Sequence, residues 1–161
     1  MSEAGGGRGT NQGEANGASQ AGHRDSDVPD DLVVDDPLAR LELARGLRTP
    51  PEVLTRLAED EDPYVRRTAA KNQRTSPEVL AGLVEDNDPG VRRAVARNPN
   101  TPPEVLTRLV EDKYVSVRLR VARNRHTRSA ALARLAGDND TKVRWTARAR
   151  LQYGIPAMPS R

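Results

Sequence analysis

Four arginines recur at a fixed interval of 26 residues: Arg66, Arg92, Arg118 and Arg144, with Arg40 in register before them. Six residues ahead of each of these four stands an aspartate: Asp60, Asp86, Asp112 and Asp138. A guanidinium presents a planar fork of donors that matches a carboxylate or a phosphate. Two chemistries follow. Either each arginine is neutralised by an aspartate and the set is a structural ladder, or the row is free to bind phosphates. An acid at a constant offset from every arginine favours the ladder.

A second basic set has no such acid. Arg67 and Arg93 directly follow ladder arginines, and Lys71, Arg97 and Arg123 recur in one further slot. On a helix turning about 100° per residue, with Val65, Val91 and Val117 at 0°, the apolar side centres near 0–40°. Arg67 and Arg93 then fall near about 200°, and Lys71, Arg97 and Arg123 near about 240°. They point away from the core. In the last copy Trp145 takes the slot of Arg67 and Arg93, and in the third Leu119 does. Arg67, Lys71, Arg93, Arg97, Arg123 and Trp145 are therefore the candidate partner-binding residues. The plain alternative is a solvated face, since exposed helix faces are normally charged.

Catalytic chemistry finds little support. His23 lies in a polar N-terminal stretch, and His126 sits between Arg125 and Thr127. No His-Glu-x-x-His, Gly-x-Ser-x-Gly or phosphate-loop motif occurs. Glu59 and Asp60 form a carboxylate pair, but its copies recur in the repeats, as a helix-end feature would and a catalytic dyad would not. The opening GGGRG follows no strand and is linker-like. The chain has no cysteine, which excludes disulfides and thiolate-bound zinc or iron–sulfur clusters. No catalytic residue, cofactor or metal ligand is expected.

The elements that hold these residues repeat with them. Thr49, Thr75, Thr101 and Thr127 open four copies: TPPEVLTRLAEDEDPYVRRTAAKNQR, TSPEVLAGLVEDNDPGVRRAVARNPN, TPPEVLTRLVEDKYVSVRLRVARNRH and TRSAALARLAGDNDTKVRWTARARLQ. A period of this size marks a solenoid, whose units bury their apolar faces only against one another. Each unit divides into two helices. Helix A is expected to open with a capping box, Thr49, Thr75 or Thr101 as N-cap and Glu52, Glu78 or Glu104 reaching back. Pro50 and Pro102 then take the first helical position. Val53, Leu54, Leu57 and Ala58 form its apolar face, and the same slots hold Val79, Leu80, Leu83 and Val84, then Val105, Leu106, Leu109 and Val110, then Ala131, Leu132, Leu135 and Ala136.

Helix B is announced by Asp62-Pro63 and Asp88-Pro89. Its inward residues are Val65 with Ala69, Val91 with Val95, Val117 with Val121, and Val143 with Ala147. Asn72, Asn98 and Asn124 end it, where a left-handed residue is often needed. The third copy replaces Asp-Pro with Tyr114-Val115 and so loses its cap; the fourth loses the capping-box acid at Ala130. Residues 36–48 align with the second half of a repeat, Asp36 on Asp62 and Arg40 on Arg66. From Gln152 the period fails, and a short cap near Leu151 and Tyr153 is expected.

The sequence is 161 residues long, 35% apolar and 30% charged, lean enough to suit a thin two-layer stack. Phe is absent, so the core is aliphatic. Residues 1–36 carry two basic and eight acidic residues, net −6; residues 37–161 carry 24 and 15, net +9. An acidic arm thus precedes a basic body. The division read from the sequence is a disordered Gly-, Ser- and Asn-rich arm over 1–27, an acidic segment and half-repeat cap over 28–48, four repeats over 49–153 and a tail over 154–161. No signal peptide or membrane span is visible, and a cytoplasmic location is the expectation.

The 26-residue units resemble the leucine-rich repeat variant family and, more loosely, HEAT-like repeats. The resemblance implies an all-α, right-handed α-solenoid of about four and a half two-helix repeats, in which α and 3₁₀ helices alternate. It also implies that Asp and Arg tie adjacent repeats together and that helix B lines the concave surface. The expected function is a non-catalytic interaction scaffold binding an acidic protein segment on that basic face. The alternative is nucleic-acid binding through phosphates by the same residues. Residues 28–36, VPDDLVVDD, either complete the cap or dock in the groove as an acidic ligand of their own chain.

Overall fold

A computed structural model describes residues 36–154. The regions 1–35 and 155–161, which hold all of the acidic arm and the 28–36 segment except Asp36 and all of the 154–161 tail except Gly154, lie outside the described residues. Among the described residues the structure is all helical. Helix α1 (Pro37–Arg45) is the half-repeat. Helices A are α2 (Pro51–Ala58), α4 (Pro77–Gly82), α6 (Pro103–Arg108) and α8 (Ser129–Leu135). Helices B are α3 (Pro63–Lys71), α5 (Pro89–Arg97), α7 (Val115–Arg123) and α9 (Thr141–Tyr153).

Helices B stack side by side, α1 on α3, α3 on α5, α5 on α7 and α7 on α9, and each helix A lies against its own helix B. The result is a two-layer solenoid. One aliphatic cluster runs through it. Leu54, Leu80 and Leu106 of helix A are fully buried, facing Val65, Val91 and Val117 of helix B, also fully buried. The small inward residues Ala69, Val95, Val121 and Ala147 let the B helices approach closely.

Several local expectations are corrected. The threonines are not N-caps. Helix A begins one residue later than expected, with Pro51 or Pro103 in its first turn and Pro50 or Pro102 in the cap position without a side-chain bond. Thr49, Thr75, Thr101 and Thr127 instead turn back and donate their hydroxyls to Leu43 O, Ala69 O, Val95 O and Val121 O at 2.5–2.6 Å. Each of these carbonyls, in the last turn of a helix, accepts one bond from the backbone N–H three residues on, and the threonine hydroxyl six residues on supplies a second. Among helices A only α4 has a side-chain cap, Ser76, which accepts from Val79 N.

The resemblance implied alternating α and 3₁₀ helices without settling which helix of a pair is which. Helices B are α-helical, and it is helix A that tightens at its end, over Leu83–Glu85 and Leu109–Glu111. A final turn of this kind gives an orphan carbonyl a donor; Asp86 N and Asp112 N each donate to the leucine carbonyl three residues back. Helix B keeps the expected aspartate caps at Asp62 and Asp88, α9 has a further one at Asp140, and α7, beginning after Tyr114, has none. Helix α9 runs on to Tyr153 and ends at Gly154 in the left-handed conformation, φ 59°. Leu151 and Tyr153 are exposed and do not form the expected packed cap.

Asn72, Asn98 and Asn124 have extended, not left-handed, backbones, with φ of −64°, −63° and −71°. They are clamps between repeats. Asn98 Nδ2 donates to Ala70 O at 2.8 Å and Asn72 O at 2.9 Å, 28 and 26 residues earlier, and its Oδ1 accepts from Asn100 N at 2.8 Å. Asn72 and Asn124 repeat the pattern one step back and one step on. In the fourth copy Arg150 takes the slot, donating from Nη1 to Ala122 O at 2.8 Å and Asn124 O at 2.6 Å.

Candidate functional site

The ladder arginines are committed to structure. Arg66 Nε and Nη2 donate to Asp86 at 2.7 and 3.0 Å, and Nη1 donates to Asp60 O and Glu61 O. Arg92 holds Asp112 and Arg118 holds Asp138 in the same fork. Arg40 pairs with Asp60 at 2.7 Å. The acid bound is thus the one 20 residues ahead, in the next repeat. The aspartate six residues behind lends only its backbone carbonyl. Each pair therefore joins two repeats, as the resemblance implied, and the phosphate-binding alternative for this row is set aside because its donors are spent inside the fold.

The pairs are largely enclosed, with side-chain exposures of 10% for Arg92 and 5% for Asp112. Arg66, Arg92 and Arg118 are pushed above the ordinary arginine value, first by the aspartate hydrogen bond. For Asp86 and Asp112 burial works in the opposite direction, but the bonds from Arg66 or Arg92 and from a backbone N–H outweigh it and hold the carboxyls low. Asp138 is held low first by Arg118. Tyr114 lies over Arg92, 5.7 Å from guanidinium to ring centre, and covers one pair. Arg144, in the last copy, bonds Asp138 O, Asn139 O and Thr141 Oγ1.

The second basic set is brought together on the stacked helices B. No Asp or Glu occurs in α3, α5, α7 or α9. Lys71 is pushed below its ordinary value by burial and then by Arg67, Arg93, Arg97 and Arg45. Arg120 is pushed down by burial and then by Arg97, Arg123 and Arg93. These mutual influences join Arg67, Lys71, Arg93, Arg97 and Arg123 into one field, and add Arg45 and Arg120. None of Arg67, Lys71, Arg93, Arg97, Arg120 and Arg123 is in an ion pair among the described residues. Arg67 Nε is buried without a hydrogen-bond partner among those residues, while its guanidinium lies over Tyr64 at 5.0 Å. A groove of about 320 Å³ opens beside it, lined by Arg45, Leu47, Arg67 and Lys71 among others.

Arg120 was not visible to periodicity, because its slot holds Thr68, Ala94 and Thr146 in the other copies. Arg45 belongs to the half-repeat and lay outside the helix-angle argument. Trp145 stands apart from the charged field, on α9, and is 65% exposed. Among the described residues no group of three or more His, Cys, Asp or Glu is arranged to hold a metal ion, and no helix is long and apolar enough to cross a membrane.

Stacked helix pairs, inter-repeat Asn and Arg–Asp ties and a single aliphatic core define a helical-repeat scaffold. The leucine-rich repeat variant family matches residues 89–113, from the start of α5 to the loop after α6. A solved structure described as a leucine-rich repeat variant with a novel repetitive protein structural motif is similar over 74% of this chain, at 34% identity and a TM-score of 0.61. The chain spans about half of that one, 47%. No curated protein matches. The chain is a helical repeat protein that carries a leucine-rich repeat variant unit and is similar in sequence and fold to that solved variant.

Proposed function

We propose that the helix B row is the docking surface of a non-catalytic scaffold and that it takes an acidic protein segment. The observation that carries this is the contrast between the two arginine sets. Ladder arginines Arg40, Arg66, Arg92 and Arg118 each have an aspartate in the next repeat, whereas the six cations of the B face share one surface without an acid. Like charges gathered in this way oppose folding, and a local conflict of this kind is characteristic of a binding site. The B helices pack on one another more directly than the A helices do, which makes their side the inner, concave one. The reading also has the protein working in the cytoplasm.

Fluorescence anisotropy with a labelled poly-Glu peptide and a labelled oligonucleotide, each titrated over a range of salt, tests the proposal. The peptide is expected to bind, and Arg93→Glu with Arg97→Glu to weaken it more than tenfold without lowering the melting temperature. Binding of the oligonucleotide alone, with the steep salt slope of counterion release, would replace this reading with the phosphate-binding one.

A further inference from the structure

The basic face changes character along the stack. One slot of helix B holds Arg67, Arg93, Leu119 and Trp145 in order, and the slot one turn on holds Lys71, Arg97, Arg123 and Ala149. A further turn on, α9 alone continues, to Tyr153. Residues four apart share a helix face, so α9 presents Trp145, Ala149 and Tyr153 where α3 and α5 present paired cations. Both aromatic rings are open to solvent, Trp145 at 65% and Tyr153 at 64%. Leu119, between the two regimes, is half-buried against the core. In these two slots the face is cationic on α3 and α5, mixed on α7 with Arg123 and Leu119, and without a cation on α9.

Resting on the acidic-segment reading above, we infer that the ligand is an extended segment with built-in polarity: acidic residues over α3 and α5, and a bulky apolar side chain over Trp145 of α9. Two independent observations support it. In these two slots the cations are confined to the first three B helices, and α9 alone sets an exposed tryptophan where they stand, beside Lys142; Tyr64, the exposed ring of α3, lies instead against Arg67. The spacing of the ligand follows from geometry. Packed helices lie about 8–10 Å apart, and an extended chain advances about 3.3 Å per residue. The segment therefore crosses one B helix about every three residues. Its apolar residue falls about five or six residues beyond the acids over α5, and the whole contact spans about ten residues.

Trp145 is the sole tryptophan, so its fluorescence reports on this end of the face directly. The probe is a synthetic ten-residue peptide with Glu at its first, second, fourth and fifth positions, Leu at its last and Gly or Ser elsewhere. Its control carries Ser in place of Leu. Full-length protein is expected to bind the Leu peptide about tenfold more tightly than the control, as partial burial of one leucine allows, and to shift Trp145 emission to the blue only with the Leu peptide. Trp145→Ala should abolish the tenfold difference and leave the affinity for the control peptide unchanged. Equal binding of the two peptides by the wild type overturns the polarity while leaving the acidic-segment reading in place. So does a loss of affinity for both peptides in Trp145→Ala with an unchanged melt. Binding of neither peptide overturns both.

Discussion

Replacing Asn98 with alanine tests whether the asparagines clamp repeats together. Asn98 is 2% exposed, and its amide makes three hydrogen bonds, two to carbonyls of the preceding repeat and one from Asn100 N. Alanine removes the whole amide. Ala70 O and Asn100 N then lose their bonds to it, while Asn72 O keeps the longer bond from Thr75 N at 3.3 Å. A buried group left without a partner costs about 1–3 kcal/mol. Two such groups, each partly relieved by water at the repeat junction, give an expected loss of about 2–4 kcal/mol. Against a typical total stability of about 5–15 kcal/mol, that is a large share.

Urea denaturation followed by circular dichroism measures the loss. Two companions make it diagnostic. Asn98→Asp keeps the shape and the acceptor but not the donors, and sets a carboxylate against two carbonyls, so it is expected to be at least as damaging as alanine. Asn98→Gly separates the clamp from a left-handed cap. At a left-handed position glycine is neutral or better; at φ −63° with a lost amide it should match alanine. A glycine variant as stable as the wild type refutes the clamp.

Leu106→Ala should cost about 2–5 kcal/mol, because the side chain is fully buried in a thin core. Thr101→Ala, which takes the hydroxyl from Val95 O but leaves it the bond from Asn98 N at 3.1 Å, should cost about 1 kcal/mol; denaturant melts that reverse this order would contradict the packing. Arg92→Ala breaks an enclosed pair and is expected to lower stability by about 3 kcal/mol, whereas Arg93→Ala should change stability by less than about 0.5 kcal/mol and weaken acidic-peptide binding. Asp86, Asp112 and Asp138 are held low in the folded chain, so unfolding takes up protons near and below about pH 4. Their contribution is complete above that range and is lost as pH falls through the folded values; the melting temperature should drop from pH 5 to pH 3, and Asp112→Asn should start lower at pH 7 and fall less.

The period, the helix pair and the buried face were legible because they are local. A leucine at Leu54, Leu80 and Leu106 is read directly from its spacing, and burial follows. Residues whose partners lie a repeat away were legible only in part. Asn98 at a helix end fits a left-handed cap by local propensity just as well as a clamp, and nothing nearby distinguishes them; the difference lies in Ala70 O and Asn72 O, 28 and 26 residues back. Thr101 was misread for the same reason, since a threonine three residues before Glu104 satisfies the capping-box pattern while its hydroxyl answers to Val95 O. The Arg–Asp ladder was recognised as a ladder but paired in the wrong direction. Periodicity fixes that every arginine has an aspartate; it does not say whether that acid lies six residues behind or 20 ahead.

Arg150 shows how a repeat tolerates a departure from its own pattern. The slot calls for donors aimed at two carbonyls, and a guanidinium reaching Ala122 O and Asn124 O supplies them as an amide does. Its pKa is pushed down by burial, the cost of putting a charge where Asn72, Asn98 and Asn124 are neutral. In a solenoid a residue that recurs in every unit is most often answering to the neighbouring unit. Where the type changes along the stack and the core does not, packing has ceased to dictate it. Val65, Val91, Val117 and Val143 stay fully buried while the slot two residues on passes from Arg67 and Arg93 through Leu119 to Trp145. That freedom, on the face where the charges are unpaired, is why the search for a partner belongs there and not on the ladder.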